Sequence, residues 1–223
     1  MSKGETTEPK VAALVTQVLE NALESCGEGH KGETSRGQPA ANDQPTIATA
    51  RLILRPYTLA DASAVAKLAG RREIADTTLS FPHPYLEQHA RDWITRHTEG
   101  RSQGKEIVFA VVTRTNMQLV GSVGMKDIDQ EHGHAEMGFW IGVDSWRQGF
   151  ATEAAEAVLQ FGFETLKLNR IHAHHMLRNP ASGRVLEKIG MKREGVLREQ
   201  VRKWGVFEDV AVLSVLRKEW AGS

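Results

Sequence analysis

Cysteine is almost missing from this chain: Cys26 is the single one in 223 residues. That excludes an intrachain disulfide framework and any Cys-rich zinc module. Tyrosine occurs only at Tyr57 and Tyr85, so nothing downstream of residue 85 carries a phenol. Net charge is absent too, with 28 Lys and Arg against 28 Asp and Glu. Such a chain has no overall positive field to draw in nucleic acid. No apolar run approaches the ~18 residues of a membrane-spanning helix. The opening residues Met1–Glu5 hold no signal-type apolar core, and the acid-rich start argues against a transit peptide. What is there is an ordinary globular balance, 40% hydrophobic and 25% charged. The expectation is a soluble, cytoplasmic, single-domain protein, monomeric or homodimeric, with room for an extension.

Composition divides the chain near residue 46. Residues 1–45 hold seven acids against four bases, a net −3 that leaves +3 for the remainder. Val11, Leu14, Val15, Val18, Leu19, Ala22 and Leu23 recur at helical spacing and predict one amphipathic helix over about residues 10–25. From Gly27 to Pro45 apolar residues give way to Gly, Ser, Thr, Asn and Pro, the composition of a flexible linker. A lone helix of this length is marginal by itself; it folds back on the domain or meets a partner. The expected division is an extension at 1–46 and a domain at 47–223.

Within the domain, Arg51–Arg55 alternates like a half-buried strand closed by Pro56, and Thr58 with Asp61 marks a helix start. A second helical pattern covers Tyr85–His97. Ile107–Thr113, Leu119–Ile128 and Ala135–Val143 read as consecutive antiparallel strands. Ala151–Lys167 is the clearest helix. Arg170–Met176 reads as a strand, Pro180–Ile189 as a short helix, and Val206–Leu216 as a final strand. The alternation of types predicts an α/β or α+β fold around a mixed sheet.

The informative segment is the strand Met137–Val143, the loop from Asp144, and the helix that follows Gly149. The first-turn amides of that helix have no internal partners and sit at the positive end of its dipole, so they suit a pyrophosphate. Gly149 leaves the main chain uncovered, Thr152 adds a hydroxyl and Arg147 adds charge. Neither the Walker A nor the GxGxxG spacing is present. His132, His134, His172, His174 and His175 tempt a metal reading. His172 and His174 share a strand face, but no sequence feature supplies a third ligand, so no metal site is expected.

Trp146-Arg147-Gln148-Gly149-Phe150-Ala151-Thr152-Glu153-Ala154 resembles motif A of the GNAT superfamily of acetyl-CoA-dependent N-acetyltransferases. The variant is similar to the Rim-type branch, which acetylates ribosomal-protein N-termini, and to its small-molecule relatives. Thr49–Pro56, Ala135–Ile141, Asn179–Ser182 and Leu186–Met191 match further family segments in order, so the likeness spans about residues 48–220. Trp146 departs from the family's usual Gln or Arg. The resemblance implies a mixed, mostly antiparallel sheet flanked by helices on both faces. It implies acetyl-CoA as co-substrate, with main-chain groups of Phe139, Trp140 and Ile141 along the pantetheine and available to an oxyanion. It places Arg147, Gln148, Gly149, Phe150, Ala151 and Thr152 at the pyrophosphate and Asn179 beside the pantetheine.

The acceptor implied is a primary amine, either a protein N-terminus or a small molecule, attacking directly in a ternary complex. Glu136 matches the family's glutamate and is the expected base. The family's tyrosine acid is absent, which leaves Ser182 as the expected acid. Each has a structural use as well: Glu136 in a cross-strand ion pair, Ser182 and Asn179 in a helix cap. The basic run Lys192, Arg193, Arg198, Arg202 and Lys203 is expected to edge the sheet, where it could meet a phosphate. The competing class is a catalytically silent acyl-CoA-binding or partner-binding module with the same fold.

Overall fold

The computed structural model describes residues 44–79 and 81–220. The expected helix over about 10–25 and nearly all of the linker lie outside them.

Period-two alternation builds the sheet. Leu52 and Leu54 of β2 (Leu52–Pro56) are fully buried, while Ile53 and Arg55 face the other way. A two-residue β1 (Ile47–Ala48) precedes it. β3 (Ile107–Thr113), β4 (Leu119–Asp129), β5 (His134–Ile141), β6 (Arg170–Met176), β7 (Lys192–Lys203) and β8 (Val206–Leu216) complete eight strands in the order β1-β2-β3-β4-β5-β6-β8-β7. Every adjacent pair is antiparallel except β5 with β6. That exception follows from the crossover helix α4 (Phe150–Glu164) between them, because only a long connection returns the chain in the same direction.

Helices cover both faces. α4 and α5 (Pro180–Lys188) close over the core of Phe109, Met125, Met137, Leu159, Ile171 and Leu213. α4 packs so tightly that a Cβ on Gly162 would stand 2.6 Å from Ile171 Cδ1. On the opposite face α1 (Ala62–Ala69) and α3 (Glu87–Ser102) enclose a second core around Phe81, Tyr85, Trp93 and Trp140.

The expected fold class stands; several element bounds shift. β5 stops at Ile141, two residues early, because Val143–Ser145 curl into a tight turn in which the Ser145 amide donates to the Gly142 carbonyl at 2.9 Å. α4 ends at Glu164 rather than Lys167, whose left-handed φ of 58° cannot continue a helix. α3 runs on to Ser102 instead of ending at His97. At Thr58 the expected cap is reversed: the Asp61 carboxylate accepts from the Thr58 amide at 2.9 Å. A short α2 (Arg72–Thr77) was not foreseen, and the basic edge proves to be the full strand β7.

Candidate active site

The register of the one parallel pair ends at Met137↔Ala173, although β5 continues to Ile141 and β6 to Met176. The two strands therefore part, and one edge of β5 is left without a strand neighbour. Since Gly142 directs its amide to β4, strand alternation turns the main-chain groups of Phe139 and Ile141 into the gap and those of Trp140 toward β4. Trp146, the residue that breaks the family pattern, has a role here. Its indole Nε1 donates to the Ile141 carbonyl at 2.6 Å and fastens the following loop to the end of β5.

That loop is bent for an anion. Arg147 (φ 61°) and Gly149 (φ 81°) both adopt the left-handed conformation, and Gly149 is the N-cap of α4 without a side-chain cap bond. Main-chain amides in such a turn and in the helix's first turn converge on one concavity. Arg51 holds it from below. Its Nη1 donates to the Gln148 carbonyl at 2.8 Å, its Nε to Glu153 Oε2 at 2.7 Å, and its guanidinium lies 4.9 Å from the Phe150 ring centre. Burial works against the Glu153 carboxylate, but the Thr49 hydroxyl at 2.6 Å and the Arg51 amide at 2.8 Å hold it below the usual carboxylate range.

Two cavities meet at the gap. One of about 550 Å³ is lined by Phe139, Trp140 and Ile141, by Arg147 and Gly149–Thr152, and by α5. Among the described residues three cations line it, Arg147, Arg184 and Lys188, and no acid does. Gln148 is missing from its wall; the side chain turns back to the Asp144 carbonyl at 3.3 Å. The second, about 670 Å³, is lined by Glu136, His174, Lys126, Glu106, Arg96 and the segment around Thr78. Thr77, Thr78, Phe139, Trp140, Asn179 and Ser182 belong to both walls.

At that junction Asn179 caps α5. Its Oδ1 accepts from the Ser182 amide at 3.3 Å, and its Nδ2 donates to Ser182 Oγ at 2.9 Å. Ser182 Oγ thus accepts a bond from Asn179 while its own proton stays free to donate. Glu136 lies across the cleft, half-buried, with Lys126 Nζ at 3.1 Å and His174 Nδ1 at 3.5 Å. Neither tyrosine reaches either cavity. Tyr57 donates to the Gly121 carbonyl at 3.1 Å, and burial pushes the Tyr85 phenol up to about 12.

The wall of three cations, the two left-handed loop residues and the open strand edge together suit a phosphate-bearing ligand. Residues 51–192 match the acetyltransferase (GNAT) domain. The chain belongs to the GNAT acetyltransferase family. It is 33% identical over 177 residues, 79% of this chain and 99% of the relative, to the uncharacterized N-acetyltransferase p20 of Bacillus licheniformis. It is 24% identical over 170 residues, 76% of this chain and 95% of the relative, to the spermidine N(1)-acetyltransferase of Vibrio cholerae. The ribosomal protein uS5-alanine N-acetyltransferase of Escherichia coli is 24% identical over 123 residues, 55% of this chain and 63% of that enzyme. Among solved structures, a GNAT-family acetyltransferase from Bacillus anthracis superposes with a TM-score of 0.70 at 26% identity, covering 78% of this chain and all of that one.

As a GNAT enzyme the chain is an N-acetyltransferase that uses acetyl-CoA. The structure brings together eleven of the twelve expected site residues and leaves out the Gln148 side chain. Sequence reasoning missed Arg184 and Lys188, though their four-residue spacing puts them on one face of α5. It also missed Arg51, which sits 97 residues from the loop it holds. The basic run of β7 does not line the cationic cavity. Lys192 pairs with Glu219 at 2.8 Å, and Lys203 donates to the Thr78 carbonyl at 2.6 Å and to Phe81. Phe81 lines the larger cavity, whereas Pro82, His83, Pro84 and Trp204 do not.

Proposed function

We propose that the GNAT domain transfers acetyl to a primary amine, a peptide N-terminus or a small molecule, in a ternary complex with both substrates bound. The observation that carries this is the pair of cavities joined at Asn179, Ser182, Phe139 and Trp140. One is cationic and fits the pyrophosphate end of acetyl-CoA; the other presents a carboxylate. Two cavities joined at a shared wall let both substrates sit together, with no residue needed to carry the acetyl group between them. The spermidine and uS5-alanine relatives both act on amines, which supports the acceptor class.

The amides of Arg147, Gly149, Phe150, Ala151 and Thr152 hold the pyrophosphate, with Arg147, Arg184 and Lys188 countering its charge. The Gly149 site fits: a Cβ there would point to Arg51 Nη2 at 3.2 Å, in a backbone conformation that favours glycine. Phe139 and Ile141 offer their main chain to the pantetheine and to the oxygen on which charge develops. Glu136, directly or through water, takes the proton that the attacking nitrogen loses. As the carbon–sulfur bond breaks, Ser182, oriented by Asn179, passes a proton to the departing thiolate and takes one from water in the same step.

The extension at 1–46 is proposed as separate from this domain, because the family match begins only at residue 51.

Incubation with acetyl-CoA and a panel of free-N-terminal peptides and polyamines, following thiol release, tests the function. Release above the buffer blank with at least one amine is expected. Glu136→Gln should slow it roughly 10²-fold or more, with partial recovery at higher pH, where the amine is already neutral. Tight CoA binding with no release over the whole panel would overturn the enzyme reading in favour of a silent acyl-CoA-binding module.

A further inference from the structure

Where β5 and β6 are in register, their polar side chains share one face. Glu136 stands opposite His172, and His174 follows two residues on, on the same side. Ile171 and Ala173 point the other way, into the core. One ligand atom from each of Glu136, His172 and His174 lies within 4.8 Å of the other two. The edge from Glu136 Oε1 to His174 Nδ1 is 3.5 Å. His172 Nδ1 is buried with no hydrogen-bond partner among the described residues, a costly state for a ring nitrogen. The third ligand that the sequence could not supply is thus present, delivered by a neighbouring strand.

We propose that Glu136, His172 and His174 form a binding site for a divalent transition metal of the zinc type at the acceptor side of the cleft. Two imidazoles and one carboxylate are donors for zinc, cobalt or nickel. Magnesium and calcium prefer all-oxygen shells and do not match. An ion about 2.0–2.2 Å from each donor sets the donors roughly 3.3 Å apart. The His174–Glu136 edge already fits, and rotation of the side chains closes the longest one. Three protein ligands leave a fourth position open, and Glu136 and His174 both line the 670 Å³ cavity from which it is reached.

Lys126 is the rival for Glu136. Its Nζ lies 3.1 Å from Oε1, but the lysine side chain is 54% exposed, and an ion pair this open to water is weak. A divalent ion displaces it. The regulatory consequence rests on Glu136 being the proton acceptor of acetyl transfer. An ion that engages the carboxylate oxygens removes the base, so the metal acts as a reversible inhibitor from within the acceptor cavity.

The test uses the full chain without an affinity tag. Titration with Zn²⁺ by calorimetry, and with Co²⁺ by its visible absorption, should each saturate at one ion per chain. His172→Ala should weaken both by roughly tenfold or more. It should leave acetyl transfer in the presence of chelator unchanged, since His172 lines neither cavity. Stoichiometric Zn²⁺ should inhibit the parent protein and not His172→Ala, with recovery on adding EDTA. Product is read as acetylated amine by mass, because zinc also binds the released thiol. Absence of saturable binding, or wild-type binding by both His172→Ala and His174→Ala, overturns the site and leaves the transferase reading intact. Binding without inhibition keeps the site and refutes Glu136 as the base.

Discussion

Arg51 lies outside the acyl-transfer chemistry, yet Arg51→Ala should change how acetyl-CoA binds. The side chain makes two contacts to Glu153, one to the Gln148 carbonyl, and stacks on Phe150. Hydrogen bonds to charged groups contribute about 1.5–3 kcal/mol when sheltered. Arg51 is 51% exposed, so screening cuts the ionic share to about 1 kcal/mol or less. The ring contact adds about 0.5 kcal/mol. Glu153 keeps the Thr49 hydroxyl and the Arg51 amide after the truncation, so no carboxylate is stranded. The total is about 1–2 kcal/mol, and Tm should fall by about 2–8 °C for a domain of this size. Roughly 1 kcal/mol of it orders residues 147–149 before the cofactor arrives, which converts to about a fivefold rise in Kd for CoA. Calorimetry with CoA, a thermal melt and steady-state kinetics separate the parts: KM for acetyl-CoA should rise while kcat at saturation holds. Arg51→Lys should recover only part of the affinity, because an ammonium cannot fork between Glu153 and the Gln148 carbonyl. An unchanged Kd beside a lowered Tm would show that Arg51 supports the fold alone and that the loop holds its shape without it.

Gly149→Asp should abolish CoA binding in a folded protein, since a carboxylate at φ 81° both strains the turn and repels phosphate; retained micromolar affinity by calorimetry would place the phosphates elsewhere. Ser182→Ala should lower kcat by roughly 10²-fold or more with little change in CoA affinity; wild-type kcat with a lower Tm would make Ser182 only a cap. Burial works against the Asp61 carboxylate, but two bonds from Arg55 at 2.7–2.8 Å and two from Thr58, its amide and its hydroxyl, hold it below its ordinary value. Its stabilisation is therefore complete above about pH 4 and drains away as pH falls below that, and Asp61→Asn should flatten this part of a Tm-against-pH curve. Deleting residues 1–45 should leave a folded, active domain; loss of turnover with precipitation would put the extension in the core.

The loop after β5 was legible because its chemistry is local. A glycine at the helix start, a threonine one turn on and an arginine beside it are neighbours in sequence and in space. The cap Asn179-Pro180 was legible for the same reason. Contacts that depend on register were not. Arg51 reaches Glu153 across 102 residues, and Glu136 meets His172 only because a parallel pairing sets them opposite. No periodicity in one chain encodes that offset. β7 was hidden by its own position: as an edge strand with two register shifts it buries little but Lys203, so its pattern reads as charge rather than as alternation. α2 has six residues, too few for a helical period to emerge.

The split between β5 and β6 has a consequence for how such a protein can change over time. On the proposed reading it offers the pantetheine peptide groups, and those remain whatever side chains the strand carries. The acceptor side is made differently, from the side chains of Glu136, Lys126, His174 and the segment that Lys203 fastens through two carbonyls. A substitution there rewrites the chemistry of the wall without touching the groove that faces the common substrate. One half of the cleft is thus buffered against mutation and the other exposed to it, so a lineage of this fold can exchange one amine for another while keeping the same acyl donor.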